Sequence, residues 1–159
     1  MKAVGIKMVD LQPMIAKEAT EKGYKVGNYT PEVMGYEVSY PDGYKSWCPK
    51  NVADKAYFPL HDVDGDKISK EDINKFVAYS ELTKVGTKTT NITLTTITGF
   101  EVHGQSSCVK AEDHKLSIGA KFARPKAEDI LWLCLGFVLQ WAKYGLNPKS
   151  NYGIDPNKQ

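Results

Sequence analysis

Arginine is almost missing from this chain. Of its 21 basic residues only Arg124 carries a guanidinium; the rest are lysines. An AT-rich coding sequence produces such a skew. It makes Arg124 conspicuous, because Arg grips phosphate or carboxylate through a bidentate fork that Lys lacks. Strong net charge is missing as well. The formal balance is +2, which gives no overall basic field for nucleic acid, so nucleic acid is not an expected partner. Cysteine is scarce: Cys48, Cys108 and Cys134 are odd in number and form no CxxC pair. That excludes a disulfide scaffold and fits a reducing cytosol. Long apolar runs are absent. The longest, Ile130 to Leu139, is about half a membrane span. Met1 to Ala16 has no basic stretch leading into a continuous apolar one, so neither a signal peptide nor a membrane partner is expected. Walker loops, GxGxxG, HExxH and GxSxG do not occur, which removes the enzyme classes those motifs mark.

What is present is ordinary globular material, 42% hydrophobic and 25% charged over 159 residues, enough for one domain or two small lobes sharing a core. The pattern predicts an α+β fold: two antiparallel β-hairpins with flanking helices and a long, proline-interrupted C-terminal helix. An N-terminal hairpin-helix lobe spans 1–60. It opens with a strand at Ala3–Val9, then a helix from Met14 to Lys22 that Gly23 stops. Pro41-Asp42-Gly43 turns a hairpin of Gly35–Tyr40 and Tyr44–Cys48. Pro49 then leads into a helix over Lys50–Tyr57. A polar joint follows at 61–67. Residues 68–145 begin with a helix from Lys70 to about Ala78, capped by Ser69 with Asp72. A strand at Tyr79–Thr83 precedes a second hairpin, Thr87–Ile97 and Phe100–Gly104, turned at Thr98-Gly99. A helix begins near Glu112, with Ala127, Leu131, Leu135 and Val138 on its apolar stripe. Pro125 should kink or break it near Ala123–Arg124. Residues 146–159 read as a tail.

Several constellations come close to chemistry and stop short. Asp62-Val-Asp64-Gly-Asp66 begins like a calcium loop. Lys67 then stands where the loop needs Gly, and Ile73 where it needs its bidentate acid, so an acidic turn is the better reading. His103, Cys108 and His114 have rough metal-like spacing but no paired ligands, so no metal site is expected. A Cys108–His103 nucleophile pair lacks an orienting group and an oxyanion site, and no catalytic residue is assigned. Tyr36, Tyr40, Tyr44, Trp47 and Phe100 are read first as core and second as base-stacking surfaces. Cys108 and Cys134 are read as packing residues. Around Pro125, Lys115, Lys121, Arg124 and Lys126 form a small cationic group. A helix restarted after Arg124 would add free backbone N–H groups that favour an anion.

Gly99-Phe100-Glu101, Gly104, Ser106-Ser107-Cys108-Val109, Gly119, Ala123-Arg124, Ala127, Trp132 and Gly136-Phe137 together resemble a widespread family of tailed-phage and prophage proteins, the phage gp-forty-nine/sixty-six family. The resemblance covers about Ile68 to Leu139. After Val109 the chain departs from it: members look as if they prefer Asp-Pro and then Asn-Phe-Asp, whereas this sequence has Lys110-Ala111 and Asp113-His114-Lys115. Residues Asp42 to Tyr57 are similar to a small phage module in which an aromatic hairpin leads into a Pro-initiated helix.

The resemblance implies a phage accessory protein acting in the host bacterial cytoplasm. Proteins of this kind look like genes that block host defences. The expected role is therefore binding without catalysis and without a cofactor: a small homo-oligomer that sequesters an anionic, cyclic nucleotide immune signal. Arg124 would hold phosphate, Lys121 would add a second charge and Phe100 would stack on the base. The competing expectation is a protein–protein inhibitor of a host defence or nuclease complex, or a minor structural phage protein.

Overall fold

The computed structural model describes residues 1–146, so all of the tail at 146–159 except its first residue lies outside the described residues. The chain divides into two compact units. The first takes Met1–Pro59 and the described residues from Gln140; the second is Leu60–Leu139. Each holds one three-stranded antiparallel sheet, and the α+β expectation stands.

In the first unit the sheet order is β1 (Asp10–Ile15), β2 (Met34–Ser39), β3 (Lys45–Pro49). The β2–β3 hairpin turns where Pro41-Asp42-Gly43 predicts. Gly43 takes φ +85°, which a side chain rarely tolerates, and the Asp42 carboxylate accepts the Tyr44 N–H at 3.0 Å. Helix α1 (Ala16–Glu21) stops at Gly23, whose N–H bonds the Thr20 carbonyl. Helix α2 (Lys50–Ala56) starts after Pro49, as expected. The strand predicted at Ala3–Val9 is not there. Those residues have no neighbouring strand; the Met8 N–H instead bonds the Ala142 carbonyl. The first strand lies later and takes in Pro13 and Met14, predicted to open a helix. It is an edge strand, where proline is tolerated.

Met14, Ala16, Ala19 and Trp47 form this unit's core, with the Trp47 indole donating to the Met14 carbonyl at 2.9 Å. Above it Glu37 is buried. Its carboxylate accepts from Tyr24 at 2.7 Å, Lys22 at 3.1 Å and Lys45 at 3.4 Å. The Tyr24 and Lys22 hydrogen bonds outweigh burial and hold Glu37 down at about 2.

In the second unit, α3 (Lys70–Phe76) carries the predicted cap. Ser69 Oγ accepts the Asp72 N–H while the Asp72 carboxylate accepts the Ser69 N–H. The chain passes straight from α3 into β4 (Val77–Val85), two residues before the predicted helix end. It then forms β5 (Thr89–Thr96) and β6 (Glu101–Ser107), in the order β4-β5-β6. A short 3-10 turn at Ala111–Asp113 precedes α4 (Leu116–Tyr144), so the long helix begins later than Glu112.

The core joins Ile73, Ile92, Leu94 and Val102 to Ala123, Ala127, Leu131 and Leu135 of α4. The helix approaches the strands at backbone distance. A Cβ on Gly104 would fall 2.0 Å from the Ala123 carbonyl oxygen, and one on Gly119 would fall 2.1 Å from Thr90 Oγ1. Only glycine fits either place.

In α4 neither a break at Pro125 nor burial of Cys134 occurs. The helix is continuous through Pro125, with no restart after Arg124. An interior proline costs about 3 kcal/mol. Burying Leu131 and Leu135 repays roughly that much, and Ala123 and Ala127 pack on either side of the proline. Cys134, expected inside the core, is exposed; the buried stripe advances by fours through Ala127, Leu131 and Leu135 and leaves it outside. Among the described residues no helix is long and apolar enough to cross a membrane.

Candidate functional site

The predicted ligand residues are not gathered in one place. Arg124 is engaged: its Nε donates to Glu128 at 2.8 Å, one helical turn on. Glu128 also pairs with Lys70 of α3. Burial pushes the Glu128 carboxyl up, but the hydrogen bonds from Lys70 and Arg124 win and hold it below its ordinary value. This triad ties α3 to α4. Lys121 is exposed on α4. Phe100, 63% exposed, sits beyond the Thr98-Gly99 turn. It lies four residues along the chain from Gly104, where Ala123 packs, roughly 13 Å in an extended strand. Lys126 donates to the Gln105 carbonyl at 2.8 Å. Without a helix break at Arg124, no backbone N–H groups are freed there.

The other sequence candidates are also spread out. His103 Nδ1 meets Thr93 Oγ1 at 3.0 Å and His114 Nε2 meets Thr90 Oγ1 at 3.0 Å. Thr90 and Thr93 differ by an odd number of residues on β5, so the two histidines serve opposite faces of the sheet. The Asp62 carboxylate accepts the Asp66 N–H at 2.8 Å. Asp72 is occupied by Ser69 and the His61 N–H. Among the described residues no group of three or more His, Cys, Asp or Glu is placed to hold a metal. Of the aromatics read as core, Trp47 is buried, whereas Tyr44 and Phe100 are exposed.

The structure instead opens a cleft of about 140 Å³ where the ends of β5 and β6 meet the first turns of α4. Lys88 and Thr90 come from the β5 side, Ser106, Ser107 and Cys108 from the end of β6. Asp113, His114 and Lys115 come from the turn before α4, and Ile118, Gly119 and Phe122 from the helix itself. The turn is tied down locally: the Cys108 N–H bonds the Lys88 carbonyl at 3.0 Å and the Cys108 thiol faces the Lys110 carbonyl at 3.0 Å. Ser107 Oγ pairs with Thr89 Oγ1 at 2.8 Å. Thr90 is fully buried and positions the His114 ring.

Two lysines, an imidazole and hydroxyls against one carboxylate give the cleft a local positive balance. It lies at the amino end of α4, the positive end of the helix dipole, although the Ile118 and Gly119 N–H groups are taken by the Lys115 carbonyl. The volume suits one phosphate or carboxylate group; it is below the usual range for a pocket that encloses a whole small molecule. Phe122, 62% exposed, stands at the rim.

Of this cleft the sequence flagged Lys115 as part of a cationic group, but not Lys88, Thr90, His114 or Phe122 as partners of it. Two signals pointed there. Gly119 early in an apolar helix marks a close approach. The segment Asp113-His114-Lys115, where the chain departs from the family pattern, forms one wall.

No curated protein and no solved structure matches the chain. A family model described as "Phage protein (N4 Gp49/phage Sf6 gene 66) family" matches residues 50–142, wider than the resemblance read over 68–139 and taking in the whole cleft. With more than half of its length matched, the chain belongs to this phage protein family.

Proposed function

We propose that the protein is a non-enzymatic phage accessory factor that acts inside the infected bacterium and counteracts host antiviral defence by binding. In this reading it sequesters an anionic nucleotide immune signal as a small homo-oligomer. The observation that carries the reading is the cleft, which gathers Lys88, His114 and Lys115 beside an exposed aromatic ring, Phe122. A phosphate enters the cleft, and the base lies outside against Phe122, because about 140 Å³ does not enclose a nucleotide. Lys115 and Lys88 take the roles first given to Arg124 and Lys121, and Phe122 takes the role first given to Phe100.

Calorimetric titration with a panel of cyclic and linear nucleotides tests this. Lys115→Ala should weaken binding by about 1.5–3 kcal/mol, the worth of a charge-assisted contact. Arg124→Ala should leave it nearly unchanged. If no nucleotide binds the wild type at micromolar levels, sequestration is lost. If Arg124→Ala abolishes binding and Lys115→Ala does not, the ligand is right and the cleft is wrong. The second reading, an inhibitor that docks on a host defence protein, is favoured by the exposed apolar side chains of α4, Leu133 and Phe137 among them.

A further inference from the structure

Helix α4 is apolar on two sides. One side is the buried stripe through Ala123, Ala127 and Leu131. The other carries Phe122, Ile130, Leu133 and Phe137, which are 62%, 40%, 75% and 65% exposed. At 100° per residue these four fall on one flank, together with the exposed Lys126 and Asp129. Lys126 reaches the Gln105 carbonyl, so this flank lies along β6, an edge strand. The sequence of the flank is ordered: Phe122, then Lys126, Asp129 and Leu133 at spacings of four, three and four. That is the spacing of a helix–helix seam.

We infer that this flank of α4 pairs with the same flank of a second copy of the chain, antiparallel, about a two-fold axis between residues 127 and 128. The inference deepens the oligomeric part of the proposed function and does not depend on the anion. Two observations select a second copy. The first is charge. In antiparallel register Lys126 faces the partner's Asp129 and Asp129 faces the partner's Lys126, with one side of Phe122 against the partner's Leu133 at each end and its other side left to the rim of the cleft. A parallel pairing in register would set Lys126 against Lys126 and Asp129 against Asp129, which repel. The flank is therefore complementary to itself in one direction only, as a two-fold interface requires. The second is area. The four apolar side chains offer on the order of 500 Å² per copy, at the upper end of what a monomer leaves bare. Two copies bury about 1,000 Å², the threshold of a specific interface, before the polar rim is added.

Sedimentation equilibrium of the full chain, loaded at about 100 µM, should give twice the 17.7 kDa chain mass. Leu133→Glu, a change at an exposed position outside the cleft, should weaken self-association at least ~100-fold. It should leave the melting temperature in place. The charge pattern gives the register test. Lys126→Asp and Asp129→Lys should each weaken the dimer, and the double swap should restore it. An equal mixture of the two single variants should form heterodimers, which also proves that each is folded. A wild type that stays monomeric overturns the inference and leaves the flank for a host protein. A dimer indifferent to Leu133→Glu or to the charge swaps overturns it as well. Loss of nucleotide binding by Lys115→Ala with the dimer intact bears on the cleft alone.

Discussion

The two sheets of this protein are held by different means. In the first unit a tryptophan and a buried carboxylate do the work: Trp47 closes the small core by donating to the Met14 carbonyl, and Glu37 gathers Tyr24, Lys22 and Lys45. In the second unit the means is proximity. Gly104 and Gly119 let the α4 backbone settle against β5 and β6, and Ala123 and Ala127 fill the contact. Phe122, Leu133 and Phe137 are exposed on the same helix that closes the core. The cleft and the proposed pairing flank both belong to this second unit.

The sharpest way to break the contrast is Gly104→Val. The added Cβ meets a backbone carbonyl at 2.0 Å, and backbone cannot swing aside. The expected cost is about 4 kcal/mol or outright failure to fold, read by urea denaturation. A loss under about 1 kcal/mol would mean that α4 does not sit on β6 as described. Trp47→Ala is the counterpart in the first unit. It removes a buried ring and a buried hydrogen bond and should cost about 3 kcal/mol in the same assay.

Acid sharpens the contrast further. Glu37 is held at about 2 against an ordinary 4.5. Its contribution is therefore fully present above 4.5 and fades as the pH falls toward 2. Asp72 is depressed as well: burial raises it, but the Ser69 and His61 hydrogen bonds outweigh that. Glu37→Gln should therefore lower the melting temperature at neutral pH, and its gap from wild type should close between pH 4.5 and pH 2. A gap that stays constant across that range would show that the carboxylate charge is not what holds the cluster.

The smallest expected effect concerns Cys134, which is exposed on α4. It should react with a thiol reagent in the native state faster than Cys48, whose thiol burial pushes up. Protection of Cys134 equal to that of Cys48 would place another surface over that side of the helix.

Much of this architecture was legible because it is local. Pro41-Asp42-Gly43, Ser69 with Asp72, and Thr98-Gly99 are signals within a few residues, and all three stand where they were read. What failed depended on distant partners. Ala3–Val9 has strand-like composition but no strand beside it. Pro125 has the chemistry of a break but sits between alanines that tertiary packing holds. Cys134 lies in an apolar run whose core side passes it by. The candidate cleft was hard to read for the same reason. Arg124 was conspicuous in composition, yet its role depends on Glu128 one turn away and Lys70 on another helix. Lys88 and Lys115 are distant in sequence and meet only because α4 starts late and lies across the ends of β5 and β6. Several family-like positions, Gly104, Gly119, Ala123 and Ala127, prove to be the close-packing contact itself.

The central claim is that the protein captures a small anion while assembled from more than one copy. Native mass spectrometry of the protein purified from infected cells tests it most directly, since it reports subunit number and retained ligand together. The account predicts a dimer, or a multiple of it, carrying a nucleotide-sized adduct that is lost on denaturation and reduced in Lys115→Ala. A single chain with no adduct would contradict it.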